Sequence, residues 1–402
     1  MKQIDKVFRD PIHGYIHVND PKIYNLIETK EMQRLKRIYQ LGGSFQVFPT
    51  AEHSRFSHSI GAFQIVTRII EEVNGVKQSL NQLDQTVLKI AVLLHDLGHG
   101  PFSHAFEMIH NIKHEEYTKA IISGDTEVNK VLISINPKLP EMLNQVYDGK
   151  YKNQIVNQLV SSQIDADRMD YLVRDAYFCG TPYGSFDIGR ILRVMAVKDN
   201  RLVFKASGIP AIEDYLVGRY HMYQQVYLHP RSLGFELILV GMINRFIDLR
   251  KANYKFNNNY KYFECLITDK KINISDYHHL DDNLLYFYAK QLSEESDQII
   301  KDLSNRFINR RLLKYQIVTS EKTASALAKK LSKHALTDRY YVFKEHLIAD
   351  MYKKYGVNNN QEILILDSNA KITTLVKASN LVAALDKEAK LKTDNYLVFY
   401  KD

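Results

Sequence analysis

The feature that most restricts how this 402-residue chain can fold is an apolar helical stripe that runs directly into two polar residues. Leu83, Val87, Ile90, Ala91 and Leu94 recur at i, i+4, i+7, i+8 and i+11, the spacing of one buried helix face, and His95-Asp96 follow at once. The stretch from Leu93 to His104, LLHDLGHGPFSH, puts four imidazole or carboxylate groups into twelve residues. A lone histidine there would read as a hydrogen-bonded core residue. An adjacent imidazole and carboxylate at the end of a buried helix are two desolvated groups that both need partners, and a divalent cation satisfies them together.

Histidine plus carboxylate suits Mn, Fe, Ni, Mg or Zn, and two neighbouring residues cannot complete a coordination shell. Further ligands must come from distant segments. His58 in SRFSHSIG, at the start of a second apolar-periodic stretch (Phe63, Val66, Ile69, Ile70), and Asp167 in IDADRMDYLVRD are the candidates. Either one taken singly would read as a cap, a salt bridge or a solvated face.

Around these motifs the pattern is mostly α. Asp20-Pro21 reads as an N-cap with proline at the first helical position, and Ile23, Leu26 and Ile27 continue at helical spacing until Gly42-Gly43 stop the segment. Ile155, Val156, Leu159 and Val160 lead in the same way to Asp165, Asp167 and Asp170. Strand signals are few before the end, apart from a hairpin near residues 193–205 turning at Asp199-Asn200. Past Leu331 the texture changes: Tyr340 to Phe343, Glu362 to Leu366 and Tyr396 to Tyr400 read as short strands around a helix, with Asn358-Asn359-Asn360 as turn material. At this length one large domain plus an appendage is expected, since single cores stop growing at ~250–300 residues. The expected division is a helical domain over 1–330 and an α+β appendage over 331–402.

Composition narrows the partners more than the fold. Lys plus Arg number 54 against 46 Asp plus Glu, a net +8 that favours anionic partners without the bias of a DNA-coating protein. Two distant cysteines, Cys179 and Cys265, exclude a disulfide scaffold or a thiolate zinc site. Met1 to Asp10 carries Asp5 and Asp10 and no apolar core, and no apolar run approaches the ~18 residues needed to span a bilayer, so a cytoplasmic protein is expected. The 26 tyrosines read as core and pocket packing rather than base stacking on RNA. His13, His17 and the pair His278-His279 read as hydrogen-bonded turn or surface residues.

Taken in order, His58, His95-Asp96 and Asp167 resemble the H…HD…D signature of HD-domain phosphohydrolases. DPIHGYI, RLKRIYQLG, VFPTAEHSRFSHSIG, HDLGHGPFSH, DADRMDYLVRD and the HPR after Tyr227 are similar, from Val7 to about Lys314, to the deoxynucleoside triphosphate triphosphohydrolases of that family. The resemblance implies an HD-domain helical bundle in which His58, His95, Asp96 and Asp167 bind one divalent metal. It makes His99, His104 and His114 the catalytic histidines, with Glu107 and Glu115 as carboxylates that orient a ring. Arg55, Arg168 and Arg219 would hold the triphosphate, accompanied by Mg. Gln40 and Asp175 would bond the sugar 3′-hydroxyl, and Leu41, Tyr171 and Tyr227 would pack on the deoxyribose. Tyr223 stands where the mammalian relative has histidine, which puts the phosphate contacts of that corner in doubt.

The same resemblance implies a regulatory GTP or dGTP site in a homotetramer. Glu28, Gln33 and Lys36 occupy guanine-reading positions, and Lys6, Val7, Arg193, Lys205, Arg310 and Lys314 match further regulatory positions, while Arg9 and Ser207 depart from the mammalian pattern. On residue pattern alone this set would be a solvated face and scattered charge. Two alternatives stand beside the dNTP reading: an HD phosphohydrolase for another nucleotide, and a nucleotide sensor or nucleic-acid binder without catalysis. The intact quartet with His104 and His114 disfavours the second, because a binding module needs none of them.

Overall fold

Helices form where the apolar stripes lie. The computed structural model describes residues 5–110, 112–267, 271–332, 338–347, 362–390 and 395–401. Asn81 caps helix Gln82–Leu94 by accepting from the Asp84 amide, and the helix buries Val87, Leu88 and every residue from Ile90 to Leu94 before ending at His95. Ser54 caps helix Arg55–Glu72 and Asp165 caps helix Ala166–Cys179, which Gly180 stops in the left-handed region at φ 65°. These three helices pack together and carry the metal-binding motifs. The chain is mostly α, with small sheets that gather strands from its C-terminal part.

The segment expected to run as one helix from Asp20 to Gly42-Gly43 is broken instead. It forms helix Pro21–Ile27, helix Lys30–Arg34 and a 3-10 turn over Leu35–Arg37, after which Ile38 is extended. The break has a local cause, since Thr29 is extended (ψ 147°) and its hydroxyl donates to the Leu26 carbonyl. A tertiary cause adds to it: Arg34 is 1% exposed, donating to the carbonyls of Leu280 and His99.

Strands β1 (Lys6–Asp10) and β2 (Gly14–Val18) form an antiparallel hairpin that the sequence pattern did not reveal. The expected hairpin is β3 (Met195–Lys198) with β4 (Arg201–Lys205), and Asp199 and Asn200 both have positive φ as its two-residue turn requires. Arg193 lies on the preceding helix, Ile188–Val194. Farther on come β5 (Lys314–Val318), β6 (Phe343–Leu347), β7 (Leu364–Leu366), β8 (Ile372–Thr374) and β9 (Asn395–Tyr400). Tyr340 and Tyr341 precede β6 as buried residues, and Asn358-Asn359-Asn360 lie outside the described residues. Strand β7 runs parallel on β4, giving the order β3-β4-β7-β8, while β9 lies between β5 and β6. Strands from beyond residue 331 thus complete sheets begun before it.

Two large apolar cores result. One packs the three motif helices, the 3-10 turn near Leu35 and the β3-β4 sheet. The other surrounds helix Pro230–Lys251 and takes in Phe102, Ala105 and Phe106 from the segment after His95-Asp96. Phe45 packs against both. Among the described residues, no helix is long and apolar enough to cross a membrane.

Candidate active site

A cavity of about 410 Å³ is lined by Gln40, Leu41, Arg55, His95, Asp96, His99, His114, Asp167, Tyr171, Asp175, Tyr223 and Tyr227, together with Ser103, Ser232 and Glu236. Tyr171 and Tyr227 pack on the first core, and Phe102, next to Ser103, belongs to the second. The protein backbone therefore places the cavity at the seam of its two cores.

At its wall His95 meets His58, and the two imidazoles are held so that their Nε2 atoms converge. The Nδ1 of His95 lies 2.7 Å from the Val92 carbonyl, which can only accept, so that nitrogen carries the proton. The Nδ1 of His58 lies 2.8 Å from Asp170, a carboxylate held well below its usual range against burial by Arg174, His13 and His58. In the neutral rings both Nε2 atoms then carry lone pairs, and they lie 3.2 Å apart. Asp167 Oδ1 is 3.0 Å from His58 Nε2 and 3.4 Å from His95 Nε2, and Asp96 Oδ1 is 3.2 Å from His95 Nε2. Burial opposes charge on His58, but the bonds to Asp167 and Asp170 outweigh it and raise that imidazole to about 10, so the ring holds a proton at neutral pH unless a metal ion displaces it from Nε2. Lone pairs and carboxylate oxygens packed this closely need a shared cation, and the set fits a divalent metal on its chemistry. His58, His95 and Asp167 form one group that could hold an ion, and Asp96, His99 and His114 form another beside it.

The backbone that presents this set is pinned from several sides. The Thr118 hydroxyl donates to the His95 carbonyl and accepts from the Gly98 amide, Tyr277 donates to the Gly98 carbonyl, and Arg34 to the His99 carbonyl. A Cβ on Gly98 would lie 2.0 Å from the His114 carbonyl, so that glycine permits the close approach of the two segments. Phe102 and Ser103 take positive φ in succession, and the Phe102 amide is tied to Asp282.

Above the metal set, His99 and His114 stack with centroids 3.7 Å apart, and His99 Nε2 is 3.3 Å from Asp96 Oδ1. Burial, with Arg55 and His114 beside it, holds His99 well below the usual imidazole range, which keeps it neutral. Glu107 meets His114 Nδ1 at 2.6 Å and Glu115 lies 3.5 Å from the same atom, so both carboxylates face the ring that they were expected to orient. His104 begins helix His104–His110, but its side chain lies outside the described residues.

Arg55 donates to Asp96 at 2.6 Å and to the Ser103 hydroxyl at 2.9 Å, which brings one guanidinium to the cavity wall. The other two arginines do not line the cavity: Arg168 pairs with Asp165, and Arg219 donates to Gln163 with its guanidinium 5.7 Å over Tyr223. The expected sugar set does come together. Tyr227 donates at 2.8 Å to Asp175, and a residue that sequence reasoning missed, His53, meets the other Asp175 oxygen at 2.7 Å. His53 is stacked on Phe178, and its carbonyl accepts from the Gln40 amide, so it braces both polar members of that set. Tyr223 and Tyr227 lie on a π-helical turn after helix Ile209–Met222. Such turns re-aim side chains at functional sites.

The nine expected regulatory residues lie on several elements of one chain. Lys6 and Val7 are on β1, with Lys6 over the Tyr24 ring; Glu28 and Lys36 are exposed, and Lys36 covers Phe56. Gln33 donates to the Ile27 carbonyl. Arg193 and Lys205 are exposed at the ends of the β3-β4 segment, and Arg310, which donates to the Gln46 carbonyl, and Lys314 are exposed after helix Gln298–Ile308.

Residues 55–175 match the HD domain family and residues 186–257 match the HD associated region. The chain is 41% identical to the uncharacterized protein YwfO of Bacillus subtilis, over 99% of this chain and 93% of that one. A solved phosphohydrolase structure from Bacteroides thetaiotaomicron is similar with a TM-score of 0.85 at 28% identity, covering 99% of this chain and 100% of that one. The deoxynucleoside triphosphate triphosphohydrolase SAMHD1 homolog of Dictyostelium discoideum is 27% identical over 83% of this chain and 65% of that protein.

Proposed function

This chain belongs to the HD-domain family, and from that membership and the lining of its cavity we propose that it hydrolyses deoxynucleoside triphosphates to deoxynucleoside and inorganic triphosphate. The coarser class, a metal-dependent nucleotide phosphohydrolase, follows from the family and from its triphosphohydrolase relatives. The observation that carries the finer reading is the joining of two unlike walls in one cavity. His95, Asp96 and Asp167 of the expected metal set and Arg55 line it, and so do Gln40, Leu41, Tyr171, Asp175 and Tyr227, which supply a sugar-sized wall.

His58, His95, Asp96 and Asp167 would hold the divalent metal. When bound, it polarises the α-phosphate and lowers the pKa of a coordinated water. The chain's own residues do the rest. Arg55 holds phosphate oxygen through a guanidinium fork. His114, with Glu107 on its Nδ1, keeps Nε2 for proton exchange, and a histidine delivers a proton to the departing 5′-oxygen. Asp175, steadied by Tyr227 and His53, accepts the sugar 3′-hydroxyl, and Tyr171 closes against the ring. A 2′-hydroxyl packed there would be desolvated without a partner, which disfavours ribonucleotides. A guanine nucleotide bound by residues from more than one chain would account for Lys6, Val7, Glu28, Gln33, Lys36, Arg193, Lys205, Arg310 and Lys314, and would regulate a homotetramer.

One observation favours a second reading, a substrate with fewer phosphates: only Arg55 of the three arginines lines the cavity. The test is hydrolysis with Mn or Mg of the four dNTPs, the four NTPs and the deoxynucleoside monophosphates, each with and without GTP or dGTP, identifying the phosphorus product. Triphosphate released from dNTPs, faster with the guanine nucleotide, is the expected result. Orthophosphate from monophosphates alone would replace the reading with the second one, and no cleavage of any substrate would leave a nucleotide sensor.

A further inference from the structure

The N-terminal hairpin ends against the back of the metal set. Its tip is organised by Asp10, whose Oδ1 accepts from the amides of Ile12 and His13 at 2.9 Å each and whose Oδ2 accepts from Arg174 at 2.7 Å. That tip turns the His13 side chain inward, 3% exposed, so that its Nε2 meets Asp170 Oδ1 at 2.7 Å. Asp170, fully buried, also accepts from His58 Nδ1 at 2.8 Å and from two nitrogens of Arg174 at 2.8 and 2.9 Å. A carboxylate offers about four lone-pair sites, and these four donors fill them. Removing any one leaves part of a buried charge unpaired and frees the others to shift.

We propose that the β1-β2 hairpin is a working part of the metal centre, with His13 as a positioning residue that acts through Asp170 to hold the ring and tautomer of His58. The chain of contacts is short: His13 fixes Asp170, Asp170 accepts from the Nδ1–H of His58, and the Nε2 atom is thereby aimed at Asp167 and His95. The other tie at the tip, Asp10 to Arg174, runs to the same Asp170 through that guanidinium. Ile16 and Val18 are buried in the first core, but Val7, Tyr15 and His17 stand in solvent at 45%, 59% and 55% exposure. Tip docking and metal binding therefore stabilise one another, and such coupling is reciprocal: whatever loosens the hairpin weakens the metal, and loss of the metal loosens the hairpin. Lys6 and Val7 ride on the same hairpin, so a ligand there would act on the metal set by this route.

The inference rests on the reading of His58 as a metal ligand, and the test separates the two. Full-length protein is stripped with a chelator and titrated with Mn2+ by calorimetry, as wild type, His13→Ala, His13→Gln and His17→Ala. A wild type that binds no Mn2+ tightly would refute the ligand reading itself. Loss of a partner that orients a metal-bound histidine costs about ten- to hundredfold in affinity. His13 stands one contact farther out, so about tenfold weaker binding is expected for His13→Ala, less for His13→Gln, which keeps an N–H donor, and none for His17→Ala. Amide exchange of Ile16 and Val18 in the wild type is expected to slow on adding Mn2+, a readout that needs no variant to fold. Unchanged Mn2+ affinity in folded His13→Ala would overturn the proposal, and so would hairpin exchange indifferent to Mn2+.

Discussion

Replacing Asp282 with asparagine should change how the stability of this protein depends on pH. The carboxyl is 2% exposed and accepts from two backbone amides, Phe102 on Oδ1 at 2.7 Å and Tyr39 on Oδ2 at 2.6 Å. Burial pushes it up to about 7 from 3.8, against the pull of those two amides and with a further push from Asp281. A carboxyl raised in the fold binds a proton more tightly there than in the unfolded chain. Its contribution is therefore full below pH 4, falls as pH rises through the window between the two values, and is flat above it. The whole shift is worth about 4 kcal/mol at 1.36 kcal/mol per unit, of which roughly 2–3 kcal/mol falls between pH 5 and pH 8. Asparagine removes that slope, but its amide nitrogen faces one of the two N–H donors and leaves it unpaired, at about 1–3 kcal/mol. Urea unfolding followed by circular dichroism at pH 5, 6, 7 and 8 should show the variant less stable at pH 5. Its deficit should shrink by roughly 2–3 kcal/mol toward pH 8. Curves for the two proteins that stay parallel across this range would refute the assignment of a raised, proton-binding Asp282.

Three further outcomes are expected. His95→Ala combined with Asp96→Ala removes two of the four expected ligands, so metal content measured by elemental analysis and turnover should both vanish while helical circular dichroism persists; full activity in that variant would sink the metal mechanism. His53→Phe keeps the stack on Phe178 but strips one donor from Asp175. A hydrogen bond to a charged group is worth about 1.5–3 kcal/mol. The expected loss in kcat/KM for dNTPs is therefore about ten- to hundredfold, with a narrower gap to NTPs, and an unaltered dNTP-to-NTP ratio would count against a sugar role. Gly61→Ala puts a methyl group 2.0 Å from Asp170 Oδ1 and 2.2 Å from Arg174 Nη2. Such overpacking costs about 1–3 kcal/mol, so the thermal midpoint and Mn2+ affinity should fall together, and a drop in one alone would separate the network from the metal.

What was legible in the sequence was whatever a local pattern encodes. The stripe from Leu83 to Leu94 located the helix end that presents His95-Asp96, because burial of one helix face repeats at fixed spacing. The motif order implied, through a resemblance, that distant residues share one cation, and His58, His95, Asp96 and Asp167 do lie together. Contacts between polar side chains far apart in sequence left no such periodic trace. Arg34, in a stretch that reads as one amphipathic helix, is bonded to carbonyls at 99 and 280. Arg55, Arg168 and Arg219 look alike in the sequence as phosphate holders, and nothing local told that only Arg55 would line the cavity while the others meet Asp165 and Gln163.

The relay through Asp170 lies between these cases, because half of it could have been read. Asp167 and Asp170 are three residues apart on helix Ala166–Cys179, and that spacing puts both carboxylates on one face. Two carboxylates one helical turn apart, facing a single histidine, must divide its two nitrogens between them: Asp167 lies 3.0 Å from Nε2 and Asp170 2.8 Å from Nδ1. The pair in DADRMD thus encodes both an expected ligand and the group that orients its neighbour. The donors that complete Asp170 obey a different logic. Arg174, four residues on along the same helix, was within reach of the same periodic argument. His13, 157 residues away, was not, since only the docking of an unanticipated hairpin brings it there. Local spacing can therefore identify a buried carboxylate that needs four donors, and counting the donors its own helix and His58 supply leaves one to be found elsewhere in the chain.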